Sequence, residues 1–388
     1  MTPTPLPLDG ITIVDFTQVM MGPCATQMLA DYGADVIKIE RAGGGDISRG
    51  FLAARDPAGL TNPVFGSLNR NKRSVELDLR RPESKEFVLR LIETADVVVN
   101  NFRAGVMERM GFGYEDLSKL NPRLVYAVGT GYGLSGPYTH KGGQDVLAQA
   151  MSGVMARRSD PSHPVSIYPT TMADYSAGMH LMQGVLLAIL QRQKTGRGQL
   201  VSVSLLDSMI AAQMQEAAMH LMRGVDLNWG AMPLTGVFET TDGAVVMVGG
   251  FKTDPLKYIS LALEMDDISS DPRFATHELQ VTNRAALHDI WRARFRTNST
   301  AHWLARLDEQ DLLCAPVQTL GRALDDEQAR INDMILEADG EAERLRFAGS
   351  PVHLSDAPVR IYRAPPKLGE HTQEVMAQHP PAKRAGAA

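Results

Sequence analysis

Ile11-Thr-Ile-Val-Asp-Phe16, Cys24-Ala-Thr-Gln-Met-Leu-Ala-Asp31 and Asp35-Val-Ile-Lys-Ile-Glu40 decide the fold class. The first and third stretches are β-branched and read as strands; the second reads as a helix entered through the turn Thr17 to Pro23. Strand, helix and strand within about thirty residues make a βαβ unit, and such a unit implies a parallel sheet. The rhythm continues with a helix over Pro82 to Thr94, a strand over Ala95 to Asn100, a helix over Ala104 to Met110 and a strand from Leu124 to Val128. The class is therefore α/β. Glu40 closes the second strand as an acid does in dinucleotide folds, but the turn Gln18-Val-Met-Met-Gly22 lacks the G-x-G-x-x-G pattern, so a dinucleotide site is not supported.

A second stretch carries the chemistry: Pro169-Thr-Thr-Met-Ala-Asp174-Tyr-Ser-Ala-Gly-Met-His180, running on to Gln191-Arg-Gln-Lys-Thr-Gly-Arg-Gly198. Ala177 to Leu190 is apolar on most sides, which predicts a buried helix, and Lys194, Gly196 and Gly198 supply its stop signals. Asp174 falls at or just before the helix start. That position suits first an N-cap and is compatible with a carboxylate nucleophile held at a half-buried helix end.

The chain has 388 residues, a formal net charge of −6 and two cysteines, Cys24 and Cys314. The mild acidity argues against a nucleic-acid surface. The cysteines lack the spacing of a disulfide framework or metal site and suit a reducing compartment. Cys24 follows Pro23 at a helix start but has no paired histidine nearby, so a buried structural thiol is expected. Met1 to Asp9 lacks the charge and apolar run of a signal peptide, and no apolar run reaches membrane-spanning length. A cytoplasmic protein with no membrane association is expected.

Gly198 to Ser204 reads as a strand and Leu206 to Arg223 as a Met-rich helix. A β-hairpin follows at Leu234 to Val248, turning through Thr240-Thr-Asp-Gly243, then helices. The expected organisation is a large parallel-sheet domain from residues 1–200 and 326–388, a linker helix over 201–224, and a small α+β domain over 225–325. Short strand-like pieces are expected over Pro351 to Ile361 and disorder over 379–388. Asn69-Arg-Asn-Lys-Arg73 reads as a solvated charged loop or a polyanion contact. Ligands in open α/β sheets bind beyond the carboxyl ends of the strands. On that rule Gln18 to Met21, Arg41, Asn101-Phe102 and the turn Gly129 to Gly133 face one crevice.

The chain resembles the family III CoA-transferases, the group that includes formyl-CoA:oxalate CoA-transferase. The resemblance rests on Leu8-Asp-Gly-Ile-Thr-Ile-Val-Asp-Phe16, Gly33-Ala-Asp-Val-Ile-Lys-Ile-Glu-Arg41 with Gly45-Asp46, and Asn71-Lys-Arg-Ser-Val-Glu-Leu-Asp78. It continues through Asn101-Phe102, Arg109-Met-Gly111, Asn121-Pro-Arg-Leu-Val-Tyr-Ala127, Lys194-Thr-Gly-Arg-Gly-Gln199 and Pro366-Lys-Leu-Gly-Glu-His-Thr372. The resemblance implies a Rossmann-like large domain and an interlocked homodimer. It implies that Asp174 attacks an acyl-CoA thioester and passes through an anhydride and an aspartyl-CoA thioester to a free carboxylic acid. CoA and acyl-CoA are then substrates, with no tightly bound cofactor and no metal. By the same resemblance Met20 and Met21 meet the pantetheine arm, Arg41 and Arg109 the phosphates, Leu77 the adenine, and Asn101 and Phe102 line the pocket. Lys141 is a further phosphate candidate, and Tyr132 and Gln144 are expected near the reacting groups. A loop at Gly249-Gly250, followed by Phe251 and Lys252, would cover the intermediate. It has fewer glycines than the formyl-CoA transferase loop, and Lys252 is a candidate for an acceptor's second carboxylate.

An α-methylacyl-CoA racemase of the same fold needs a histidine in a Gly-His-Asp stretch. The chain has Gly143-Gln144-Asp145 there, and glutamine does not exchange a proton near neutral pH. A non-catalytic CoA-binding homologue has no need of Asp174, and a hydrolase built on Cys24 lacks its base. His180 and Tyr175, close to Asp174 in sequence, are expected to pack.

Overall fold

A computed structural model describes residues 5–52, 60–160 and 162–381. The chain forms two compact units. The larger takes the chain up to Met155, Ile167–Met214 and the chain from Glu327 on; the smaller takes Ala156–Ser166 and Gln215–Asp326.

Six strands form the sheet of the larger unit: β1 Thr12–Asp15, β2 Asp35–Arg41, β3 Lys72–Leu77, β4 Val97–Asn100, β5 Val125–Thr130 and β6 Leu200–Ser204. Their order is β3-β2-β1-β4-β5-β6, and every pairing is parallel. This is the doubly wound order, whose switch point lies between β1 and β4. Alternate residues of each strand enter opposite cores. Ile13, Val36, Val97 and Val99 pack under helix α1, Met21–Asp31, while Val14, Ile37, Ile39 and Val98 pack under α2, Pro82–Thr94. Burial on both faces is why these strands read as continuous apolar runs.

Two further helices matter for the site: α3, Asp145–Met151, and α4, Met172–Thr195. Gly196 closes α4 in the left-handed conformation at φ 72°, as its glycine signal predicts. The expected burial holds on most sides and fails along one strip. Ala173, Ala177, Leu181, Val185 and Ala188 pack on the sheet side, whereas Leu187 and Leu190 are 66% and 55% exposed. Packing from the chain itself leaves only this strip of α4 uncovered. The linker expected over 201–224 is corrected. It begins inside β6, and the rest is two helices, Leu205–Ala211 and Met214–Arg223. The late strands fall at Ile335–Asp339 and Arg344–Ala348 and not over 351–361. The disorder expected at the end lies, beyond Pro381, outside the described residues.

Asn69 to Arg73 is neither solvated nor a free basic patch; all five residues are buried. Arg70 grips Asp31 through two bonds, Nε–Oδ1 at 3.1 Å and Nη2–Oδ2 at 2.6 Å. Asn71 bonds the backbone of Arg360, Tyr362 and Arg363, and Arg73 reaches Glu374 at 2.9 Å. The run is a clip that fastens the C-terminal chain to β3, because each charge finds a partner from a distant part of the sequence. Burial holds the Asp31 carboxyl above the ordinary range in spite of Arg70.

In the smaller unit an antiparallel sheet of three strands, Thr235–Glu239, Ala244–Val248 and Leu313–Pro316, packs on Phe238, Trp291, Phe295 and Trp303. The hairpin turns where Thr240 N donates to Gly243 O at 2.9 Å. No helix among the described residues is long and apolar enough to cross a membrane.

Arg70→Ala strips Asp31 of its buried cation. The expected loss is about 3 kcal/mol, as for removal of one member of a buried pair, read as a lower urea midpoint. A midpoint equal to that of the wild type contradicts this assignment.

Candidate active site

At the switch point the loops after β1, β4 and β5 meet the start of α1. Asn101 stitches the first two together. Its Oδ1 accepts from Gln18 N at 2.9 Å, and its Nδ2 donates to Gln18 O at 2.8 Å. The loop after β5 crosses the approach to α3 at Gly131 and Gly143. A Cβ on either glycine would stand within 2.5 Å of the other's backbone, so no larger residue fits that crossing.

A cavity of about 440 Å³ opens beside these loops, lined among others by Gln18 to Met21, Asn101, Phe102, Tyr132, Lys141, Gln144 and Asp174. A second, of about 710 Å³, is lined by Arg41, Leu77, Phe102 and Arg109. Gln18 and Phe102 line both. Every site residue expected in the larger unit therefore borders one of two adjoining spaces. Lys141 Nζ stands 4.4 Å from the centre of the Tyr138 ring, a cation–π distance. Gly249, Gly250 and Lys252 belong to the smaller unit. There Gly249 N donates to Leu234 O at 2.8 Å, and Lys252 pairs with Asp311 at 3.0 Å.

Asp174 is the third residue of α4 and is not its cap. Thr171 precedes the helix without a capping side-chain bond. The cap is Asp145, whose Oδ2 accepts from Ala173 N at 2.7 Å and Asp174 N at 3.0 Å. Gln149, one turn further along α3, holds the other oxygen of Asp145 at 2.5 Å and also bonds the backbone of Tyr168 and Thr170. Asp145 thus satisfies the start of α4 from outside, and the Asp174 side chain is left to face the cavity. Burial, chiefly, and the Asp145 charge push the Asp174 carboxyl up to about 6, while a hydrogen bond from the Met21 backbone amide opposes them. Met21 opens α1, so the carboxylate of one helix start meets the positive end of another.

Asp145 was named in the sequence only as part of Gly143-Gln144-Asp145. The local signal was an acid opening a short helix with Gln149 four residues on; its partners in α4 lie 28 and 29 residues away. His180 bonds Ser208 Oγ at 3.0 Å. Burial pushes the Cys24 thiol up to about 11, which removes the thiolate a hydrolase needs.

The sequence matches CoA-transferase family III over residues 8–372. The chain belongs to that family. It is 32% identical to the succinyl-CoA:glutarate CoA-transferase of Mus musculus over 380 residues, covering 95% of this chain and 86% of that protein. It is likewise 32% identical to a formyl-CoA:oxalate CoA-transferase of Rhodopseudomonas palustris, covering 96% of this chain and 93% of that protein. Among solved structures, a CAIB/BAIF family protein from Brucella suis superposes with a TM-score of 0.87 at 30% identity, covering 97% of this chain and 100% of that one. CoA-transferases of this family use CoA thioesters as substrates.

Asp145→Asn keeps an acceptor for the α4 amides and removes a charge. The Asp174 carboxyl is then expected to titrate below about 6, read by carbon-13 NMR of labelled aspartate. A midpoint that stays or rises contradicts the part assigned to Asp145.

Proposed function

We propose that this chain moves CoA from an acyl-CoA thioester to a free carboxylic acid, with Asp174 as the covalent carrier. The observation that carries the reading is a half-buried carboxyl, raised to about 6, that borders a cavity and meets the amide at the start of α1. Burial that raises a carboxyl's pKa also makes its ionised form a better nucleophile. The Asp174 carboxylate attacks the thioester carbonyl and the CoA thiolate leaves, which gives an anhydride. The thiolate then attacks the Asp174 carbonyl, releases the donor acid and leaves an aspartyl-CoA thioester. The acceptor carboxylate repeats the two steps in reverse order, so Asp174 returns unchanged and no resident cofactor is consumed. The Met21 amide, on the same cavity as this carboxyl, is proposed to share its proton with the oxyanion that forms on it.

Arg41 and Arg109 line the larger space with Leu77 and suit the phosphates and adenine of CoA. Met20, Met21, Asn101 and Phe102 line the passage towards Asp174 and suit the pantetheine arm; Lys141 is a further anion contact. Tyr132 and Gln144 border the same space as Asp174. Gln144 occupies the sequence position where a racemase needs a second proton-exchanging group, and its amide has no proton to exchange near neutral pH. Gly249 and Gly250 are proposed to close over the intermediate, and Lys252 to leave Asp311 for an acceptor's second carboxylate. A homodimer is proposed because α4 exposes Leu187 and Leu190, a face suited to a second copy. Among the described residues no group of acids, cysteines and histidines is placed to hold a metal.

Asp174→Asn is expected to lower CoA transfer by several orders of magnitude, as loss of a covalent nucleophile does, with CoA binding retained. Because the ionised carboxyl is the reactive form, kcat/KM should fall about tenfold per pH unit below the midpoint near 6 and level off above it. Undiminished transfer by the variant, or a profile flat down to pH about 4, contradicts the reading.

A further inference from the structure

The loop that presents Met21 to Asp174 is not relaxed. Val19, a β-branched residue, stands in the left-handed region at φ 69°, where such side chains crowd the backbone. Buried charges hold it there. Asp46 Oδ1 accepts from Val19 N at 3.1 Å, and Asp46 Oδ2 pairs with Lys38 Nζ at 2.9 Å. Lys38 Nζ also donates to Thr17 O at 2.6 Å. Asp15 Oδ1 takes Thr17 N at 2.8 Å, and Asn101 takes both backbone groups of Gln18. Every backbone polar group from Thr17 N to Val19 N is therefore held by a side chain, and the next residue but one is Met21. Both side chains of the Lys38–Asp46 pair are fully buried. A buried pair is weak as a source of stability, since apolar residues of like volume often serve as well. What apolar residues do not do is bind Thr17 O and Val19 N.

We propose that Lys38 and Asp46 are positioning residues for the transfer reaction: the pair holds Val19 in its left-handed conformation and so sets the Met21 amide against Asp174. The inference rests on the reading of Asp174 as nucleophile and adds to it the device that places its partner. Neither side chain lines the cavities, so both act through the loop. Without the pair, Val19 relaxes towards ordinary backbone, the first turn of α1 shifts, and Asp174 loses its donor. Arg41 ends β2, the strand that carries Lys38, but with Arg109 it borders the other space, so the phosphate contacts of CoA stay.

The test is the double replacement Lys38→Met with Asp46→Leu in the full-length enzyme. It removes both charges together and leaves no orphan ion in the core. The expected result is a folded protein whose kcat falls about a hundredfold, as for a small misplacement at a reacting centre, while KM for acyl-CoA, still held by the contacts of Arg41 and Arg109, changes much less than kcat. The midpoint of the kcat/KM profile should rise, because the Met21 bond that lowers the Asp174 carboxyl is gone. Adding Val19→Gly should recover at least about a tenth of the lost activity, since glycine takes the left-handed conformation without help. A folded double variant with unchanged kcat and midpoint overturns the proposal. If the double variant does not fold, Asp46→Ala, which removes the acceptor of Val19 N, carries the test, with the same directions expected and unchanged values overturning it. Asp174→Asn is assayed beside them. If it is inactive while the pair variants match wild type, only the positioning role fails; if it is fully active, the reading of Asp174 fails instead.

Discussion

The structure depends on a carboxylate half-withdrawn from water at the start of one helix and faced by the start of another. A helix start normally consumes such a group: its free amides bond it, lower its pKa and leave little nucleophilicity. Asp174 escapes because Asp145 takes the Ala173 and Asp174 amides from outside. Asp174 then keeps a single backbone donor, Met21, against burial and a neighbouring charge. The net effect is a carboxyl raised to about 6 yet ionised near neutral pH, a compromise between basicity and availability that suits a carboxylate nucleophile.

The sheet makes this meeting unavoidable. With β1 and β4 adjacent and the connections winding outward on either side, the loops after β1, β4 and β5 converge at one edge. Packing Ala177, Leu181 and Val185 of α4 into the same core as Ala25 and Leu29 of α1 sets the two helices side by side. Lys38, Lys72, Asp15 and Asp46 lie fully buried beneath the loops, where an apolar core would leave the turn's backbone unsatisfied.

Much of this was legible in the chain. The β-branched runs and their spacing gave the parallel sheet, because strands buried on both faces need little context to be recognised. The glycine after Thr195 marked the end of α4, a local rule. Asp174 was placed at the helix start, where spacing alone allowed both a cap and a nucleophile and only the family resemblance chose the second; the true cap lies 29 residues upstream. The same limit explains Asn69 to Arg73. Its charges look solvated until Asp31, Asp15 and Glu374 arrive from elsewhere in the fold. The exposed Leu187 and Leu190 mark the converse case: apolar residues on a strip that the chain's own packing leaves uncovered.

The central claim is that Asp174 itself carries CoA during turnover. Mixing enzyme with succinyl-CoA, quenching in acid and mapping peptides by mass spectrometry tests it most directly. The account predicts a CoA adduct on the peptide containing Asp174, released by hydroxylamine and absent when a non-reactive thioether analogue replaces the thioester. An adduct on any other residue, or steady turnover with Asp174 found unmodified throughout, contradicts it.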